Sequence, residues 1–208
     1  GNNVRWTNSF SEVVRRGISV REEYRGSKCI ESLSIGFDQL SVFDALYFDS
    51  TFLPAQYDGE IIFFRTQIQA QLRFGWFHTG TSISWQKTSN DTIMRIPELT
   101  VRHSMFANLR LFKKALQLQI GVDVTWFSEF TAEAYMPAVA QFYLQSQRTV
   151  GNYVYIDPWV SFRIKPVRIF VKAEHVNAGM MGRKYFLLDG YPHNDFALKI
   201  GISWLFND

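Results

Sequence analysis

Over residues 195–206 the chain alternates without a break. Phe196, Leu198, Ile200, Ile202, Trp204 and Phe206 are apolar, while Ala197, Lys199, Gly201 and Ser203 take the intervening positions. Successive side chains of a strand point to opposite faces, so this period of two predicts a strand of about twelve residues, within reach of the ~9–11 tilted residues that cross a bilayer. Five further segments repeat the pattern. Over 62–74, Phe64, Thr66, Ile68, Ala70, Leu72 and Phe74 oppose Arg65, Gln67, Gln69, Gln71 and Arg73; over 99–111, Leu99, Val101, Met105, Ala107, Leu109 and Leu111 oppose Arg102, Ser104, Asn108 and Arg110, with His103 on the apolar side. Over 116–126, Leu118, Ile120, Val122, Val124 and Trp126 oppose Gln117, Gln119, Gly121, Asp123 and Thr125. Over 154–164, Val154, Ile156, Val160, Phe162 and Ile164 oppose Tyr155, Asp157, Ser161 and Arg163, and Pro158 calls for an edge-like site or a bulge. Over 167–176, Val167, Ile169, Val171 and Ala173 oppose Arg168, Lys172 and Glu174. Weaker strands are expected at 19–25, 31–42 and 77–87.

The connections carry as much information as the strands. Tight turns at Gly26-Ser27, Gly75-Trp76, Lys113-Lys114 and Lys165-Pro166 alternate with long connections over 43–59, 88–98, 127–152 and 177–194. A Greek-key sandwich mixes connection lengths, whereas a membrane barrel has short turns on one side and long loops on the other. With a strand tail read over 4–8, the expectation is an all-β, antiparallel, transmembrane outer-membrane β-barrel of roughly ten strands occupying residues 1–208 as one domain. The chain opens on Gly1, and it is read as the C-terminal portion of a larger barrel or as a trimmed mature chain. As a portion, it should show an open sheet. A further alternating piece over 138–147, with Gln141, Tyr143, Gln145 and Gln147 on one face, predicts either a hairpin beyond the membrane or an inward-folded loop.

Composition narrows the function classes. Of 208 residues, 47% are hydrophobic, yet no apolar run approaches the ~18 residues of a membrane helix. The formal charge is +3 and the basic residues are dispersed, which argues against nucleic acid as a partner. The single cysteine, Cys29, is expected to be a small buried or lipid-facing residue, and no intrachain disulfide can form.

Within 151–208 lie Gly151-Asn152-Tyr153, Arg168-Ile169-Phe170-Val171-Lys172, Glu174-His175-Val176-Asn177, Tyr191-Pro192 and Gly201-Ile202-Ser203-Trp204. These pieces resemble the C-terminal part of the putative β-barrel porin family of Bacteroidota-type outer membranes, and some TonB-dependent transporters have similar final hairpins. The resemblance implies a cell outer-membrane location with lipid, lipopolysaccharide and the barrel-assembly machinery as partners. A partner outer-membrane protein or a second copy is also compatible with it.

In that setting the polar set lines the lumen: Arg65, Gln67, Gln69, Gln71, Arg73, Arg102, Arg110, Gln117, Gln119, Asp123, Asp157, Arg163, Arg168, Lys172, Glu174 and Lys199. The lipid-facing set is Leu118, Ile120, Val122, Val124, Ile169, Val171, Leu198, Ile200 and Ile202, and Trp204 and Phe206 end the barrel-closing strand. Trp76, Phe112, Trp204 and Phe206 are expected in one aromatic girdle and Trp85, Trp126, Phe127 and Tyr153 near the other. No enzyme is expected. His103 and Ser104 are adjacent on a strand and point apart, His175 with Glu174 and Asn177 reads as architecture, and His193 with Asp189 and Asp195 reads as solvated loop rather than metal site. No cofactor motif occurs. The leading expectation is a porin-like channel for passive diffusion of small solutes, with an interaction or scaffold barrel, or the barrel part of a TonB-dependent-type transporter, as alternatives.

Overall fold

The computed structural model describes residues 7–26, 28–180, 182 and 185–204. Its strands are β1 (Val14–Tyr24), β2 (Ile30–Phe43), β3 (Leu46–Phe48), β4 (Pro54–Gln56), β5 (Glu60–Phe74), β6 (Phe77–Thr88), β7 (Leu99–Leu111), β8 (Leu116–Phe127), β9 (Ala134–Met136), β10 (Gln141–Tyr143), β11 (Tyr153–Ile164), β12 (Val167–Glu174), β13 (Phe186–Leu188), β14 (Tyr191–Pro192) and β15 (Ala197–Trp204). Nine of them form one antiparallel sheet in the order β1-β2-β5-β6-β7-β8-β11-β12-β15. Each strand of the sheet therefore lies beside its predecessor, forced to at the four tight turns by connections too short for any other path. The remaining strands make three small hairpins, β3-β4, β9-β10 and β13-β14, inside the long connections.

The sheet is open. Among the described residues β1 and β15 each pair on one side only, so Trp204 pairs with Val167 of β12 and closes no barrel; Phe206 lies outside the described residues. Nine long strands stand where roughly ten were expected, because Thr7 and Asn8 are not strand and residues 4–6 lie outside the described set. β7 spans the expected 99–111, and the weaker segments prove to be strands of 11, 14 and 12 residues. β12 stops at Glu174, two residues short, because His175 takes a positive φ of 52° and turns the chain. Described strand in the last segment begins at Ala197 rather than at 195. Pro158 pairs in register with Val122 of β8, while the ladder to β12 ends next to it at Trp159, so the edge-like alternative describes its position. Cys29 is exposed in the connection before β2, since it falls where the chain reverses rather than on a strand face. Ser27 of that turn lies outside the described residues.

The buried apolar residues lie at the long-loop end of the sheet. Val42, Ala45 and Ile61, the last with 0% exposure, are covered by Val13, Leu40, Tyr57, Ile93 and Met94. Tyr153, Tyr155 and Tyr185 form a second cluster with Phe127. These clusters join the sheet to its loops.

Candidate functional site

Strand pairing divides the sheet into two faces. Reading across β5 to β11, the register aligns Gln69, Ser82, Arg102, Thr125 and Tyr155 in one row, and Gln71, Gly80, Ser104, Asp123 and Asp157 in the next. A third row runs Arg73, His78, Phe106, Gly121, Trp159, Lys172 and Lys199. Because side chains two apart share a face, all the polar residues from Arg65 to Lys199 assigned to one set lie together. The apolar set from Leu118 to Ile202 lies on the reverse. From β5 to β15 that reverse face carries only two charged residues, Glu60 and Lys87, both at strand ends. It is open to the surroundings: Ile120 is 50% exposed, Ile200 65% and Ile202 68%. It also carries the partly buried His103 and the threonines Thr66, Thr79 and Thr81, of which Thr81 and Thr79 approach the His103 ring nitrogens at 2.8 and 3.4 Å.

On the polar face, cross-strand pairs link the wall. Arg65 binds Asp38 at 2.8 Å, Arg73 reaches Glu31 at 3.4 Å, and Lys199 meets Glu174 at 2.7 Å. Lys172 stands between Asp157 (3.0 Å) and Asp123 (3.7 Å), two carboxylates in directly opposed register positions. Asp123 also accepts from Ser104 Oγ at 2.7 Å and Trp159 Nε1 at 3.2 Å. Arg102, Arg110, Arg163 and Arg168 have no ion-pair partner among the described residues. The wall therefore keeps a local cationic surplus.

The four long connections meet over the polar face as a continuous layer. Arg95 donates to the carbonyls of Ala132 and Gln145, the Leu144 amide donates to Phe48 O at 2.9 Å, and Arg148 pairs with Asp189 at 3.2 Å. The segment over 138–147 resolves accordingly into the β9-β10 hairpin, with strand confined to Gln141–Tyr143 and Gln145 buried as a hub that donates to Ala132 O and Arg148 O. Phe127 and Tyr153 do not join an outer girdle. They pair with each other on the polar face under the loops, because Phe127 follows Trp126 and must point the opposite way. Trp76, Phe112, Trp204 and Trp85 are exposed.

His175, Asn177 and their neighbours act as a clasp that sequence reasoning did not foresee. The Asn177 side chain donates to Val154 O at 2.7 Å and accepts from Ile156 N at 3.2 Å, so it continues the ladder along β11 after β12 has turned away. His175, 0% exposed, meets Asn194 O at 2.8 Å and the Tyr153 hydroxyl at 3.0 Å. His175 lies in the turn just past β12, where no period-two signal reports which way a side chain faces. His193 packs on Tyr155 and His175, Asp189 is held by Arg148, and Asp195 accepts from Tyr185, so these three groups point to separate partners.

Burial in the loop layer pushes the Glu133 carboxyl up, and the nearby Arg95 charge offsets this in part. A carboxyl raised above its ordinary ~4.3 favours the protonated packed state, so its contribution is fully present below that value and is lost as pH rises through the raised one. Protection factors of amides in residues 127–152 should therefore fall with rising pH across that window. In Glu133→Gln the fall should vanish, with protection at pH 7 no lower than wild type; an unchanged profile would assign the dependence elsewhere.

The whole chain, residues 1–208, matches the family model described as "Putative porin". No curated protein matches it.

Proposed function

Because this chain belongs to the putative porin family, we propose that it is the wall of an outer-membrane β-barrel that passes small solutes by passive diffusion along its polar face. It acts in this reading as a conduit and not as an enzyme. The observation that carries the reading is the opposition of faces: a charged, hydrogen-bonded face backed by a broad exposed apolar one. Exposed apolar patches of this breadth mark a membrane or an interface, and seven of the nine antiparallel strands have 11–15 residues, which suits a bilayer, while β12 and β15 have eight described residues each. In lipid the edges of β1 and β15 require pairing, with each other or with further strands, since each unsatisfied backbone group costs several kcal/mol there. The loop layer over the polar face favours a second reading, a non-conducting scaffold barrel. Liposomes carrying the folded full-length protein should release a small hydrophilic solute and retain a large dextran. Retention of both would support the scaffold instead.

The unpaired Arg102, Arg110, Arg163 and Arg168 give the path a positive field, screened over ~8–10 Å at ordinary salt. A modest anion preference is expected, growing at low ionic strength. Reversal potentials under a salt gradient should move toward cations in Arg102→Glu and Arg110→Glu. Cation preference in the wild type, or no response to either change, would remove the selectivity while leaving the wall intact.

A further inference from the structure

The polar face carries rings where its alternation otherwise places hydrogen-bonding groups. His78 and Phe106 stack with centroids 4.8 Å apart and planes 2° from parallel, and Phe106 meets Trp159 at 5.7 Å and 45°. Phe170, 44% exposed, stands on the same face one strand further but in the next row, opposite Ser161 and Gly201. Two glycines let these rings lie along the wall. A Cβ at Gly121 would stand 2.6 Å from the Trp159 ring and 2.7 Å from Phe106 Cβ, and one at Gly201 would come within 2.2 Å of the Phe170 ring. Neither contact is possible, so the strand must lack a side chain there for the ring to lie flat. The indole is pinned by its Nε1–H to Asp123.

Beside this run is a hollow of about 400 Å³. Four of its lining side chains, Gln69, Gln71, Arg102 and Thr125, make no side-chain hydrogen bond among the described residues. Its formal charges cancel, with Asp123 and Asp157 against Lys172 and Arg102. An anion would meet the carboxylates, a cation the lysine and arginine, and an apolar ligand would strip water from the glutamines without replacing their bonds. A pyranose fits all three conditions. It is uncharged, its C–H face can lie on a ring, and its hydroxyl edge can bond the free amides and guanidinium.

We propose that this hollow and the His78-Phe106-Trp159 run form a binding site for uncharged pyranose saccharides. The proposal rests on the reading of this face as the water-filled side of the wall. Its test is calorimetric titration of the full-length protein in detergent with maltohexaose, alongside conductance of the same preparation. Saturable binding is expected, weakened about tenfold or more by Trp159→Ala and by the Gln69→Ala/Gln71→Ala pair, largely kept by Trp159→Phe, and absent for sorbitol, which has hydroxyls but no ring face. The Gln pair lies off the ring run and keeps the test open should Trp159→Ala fail to fold. No saturable binding, equal binding of sorbitol, or an affinity indifferent to both variants would overturn the site. Conductance without binding would reject the saccharide site and leave the channel; binding without conductance would keep the site and reject the channel.

Discussion

Ile120→Arg should abolish assembly into lipid, whereas Gln119→Arg, one residue away, should assemble. Ile120 is 50% exposed on the apolar face of β8, opposite Ala107 on one side and Val160 on the other, with no carboxylate among these partners. A guanidinium there would sit in hydrocarbon, at ~2–4 kcal/mol near the bilayer midplane. Gln119 faces Asn108 and Ser161, where a charged group can stay hydrated. Co-floatation with liposomes and resistance to added protease would measure assembly. Equal tolerance of the two changes would remove the membrane reading, as would equal intolerance.

Lys172→Met should be the most damaging single change on the polar face. The ammonium lies between Asp123 and Asp157, and its removal leaves two carboxylates directly opposite one another. Like charges opposed on neighbouring strands destabilise a sheet, and loss of one member of a buried ion pair costs ~3–5 kcal/mol. Lys172 keeps 28% of its side chain exposed, so screening by water lowers the expected cost to about 1–3 kcal/mol. Denaturant unfolding of the reconstituted protein should show it. Adding Asp157→Asn should recover most of the loss, because one carboxylate alone still has Ser104 and Trp159 as donors. A triple change at Lys172, Asp123 and Asp157 that is no better than Lys172→Met alone would place the damage in packing.

Strands were legible wherever one face is charged and the other apolar. β7 and β8 repeat that contrast for a dozen residues, and a one-residue slip would reverse both faces. β1 was weaker in the sequence because it has charges on both sides, Arg16 and Glu22 on one, Arg21 and Glu23 on the other, and its register comes from β2. Ile61, Val42 and Leu40 are apolar on the polar face, a pattern that strict alternation hides; the loop carrying Ile93 and Met94 explains them. The same blindness applies to Phe106 and Trp159, which interrupt the polar row and whose meaning depends on Gly121, the residue of β8 that lies between them, paired with Phe106 on one side and Trp159 on the other. Asn177 could not be recognised as a clasp, because its partners are backbone atoms of Val154 and Ile156, more than twenty residues away. Alternation reports which face a residue takes. It does not report what folds over that face.

The most direct measurement of the two-faced wall is a cysteine scan of β8, residues 116–126, in a Cys29→Ser background that removes the one exposed native thiol. Reaction of each variant, assembled in liposomes, with a membrane-impermeant charged thiol reagent should alternate: Gln117, Gln119, Asp123 and Thr125 positions labelled, Leu118, Ile120, Val122 and Val124 positions protected until the lipid is dissolved in denaturant. Labelling that is uniform along the strand, or that alternates in the opposite phase, would contradict the assignment of the polar face to water and the apolar face to lipid.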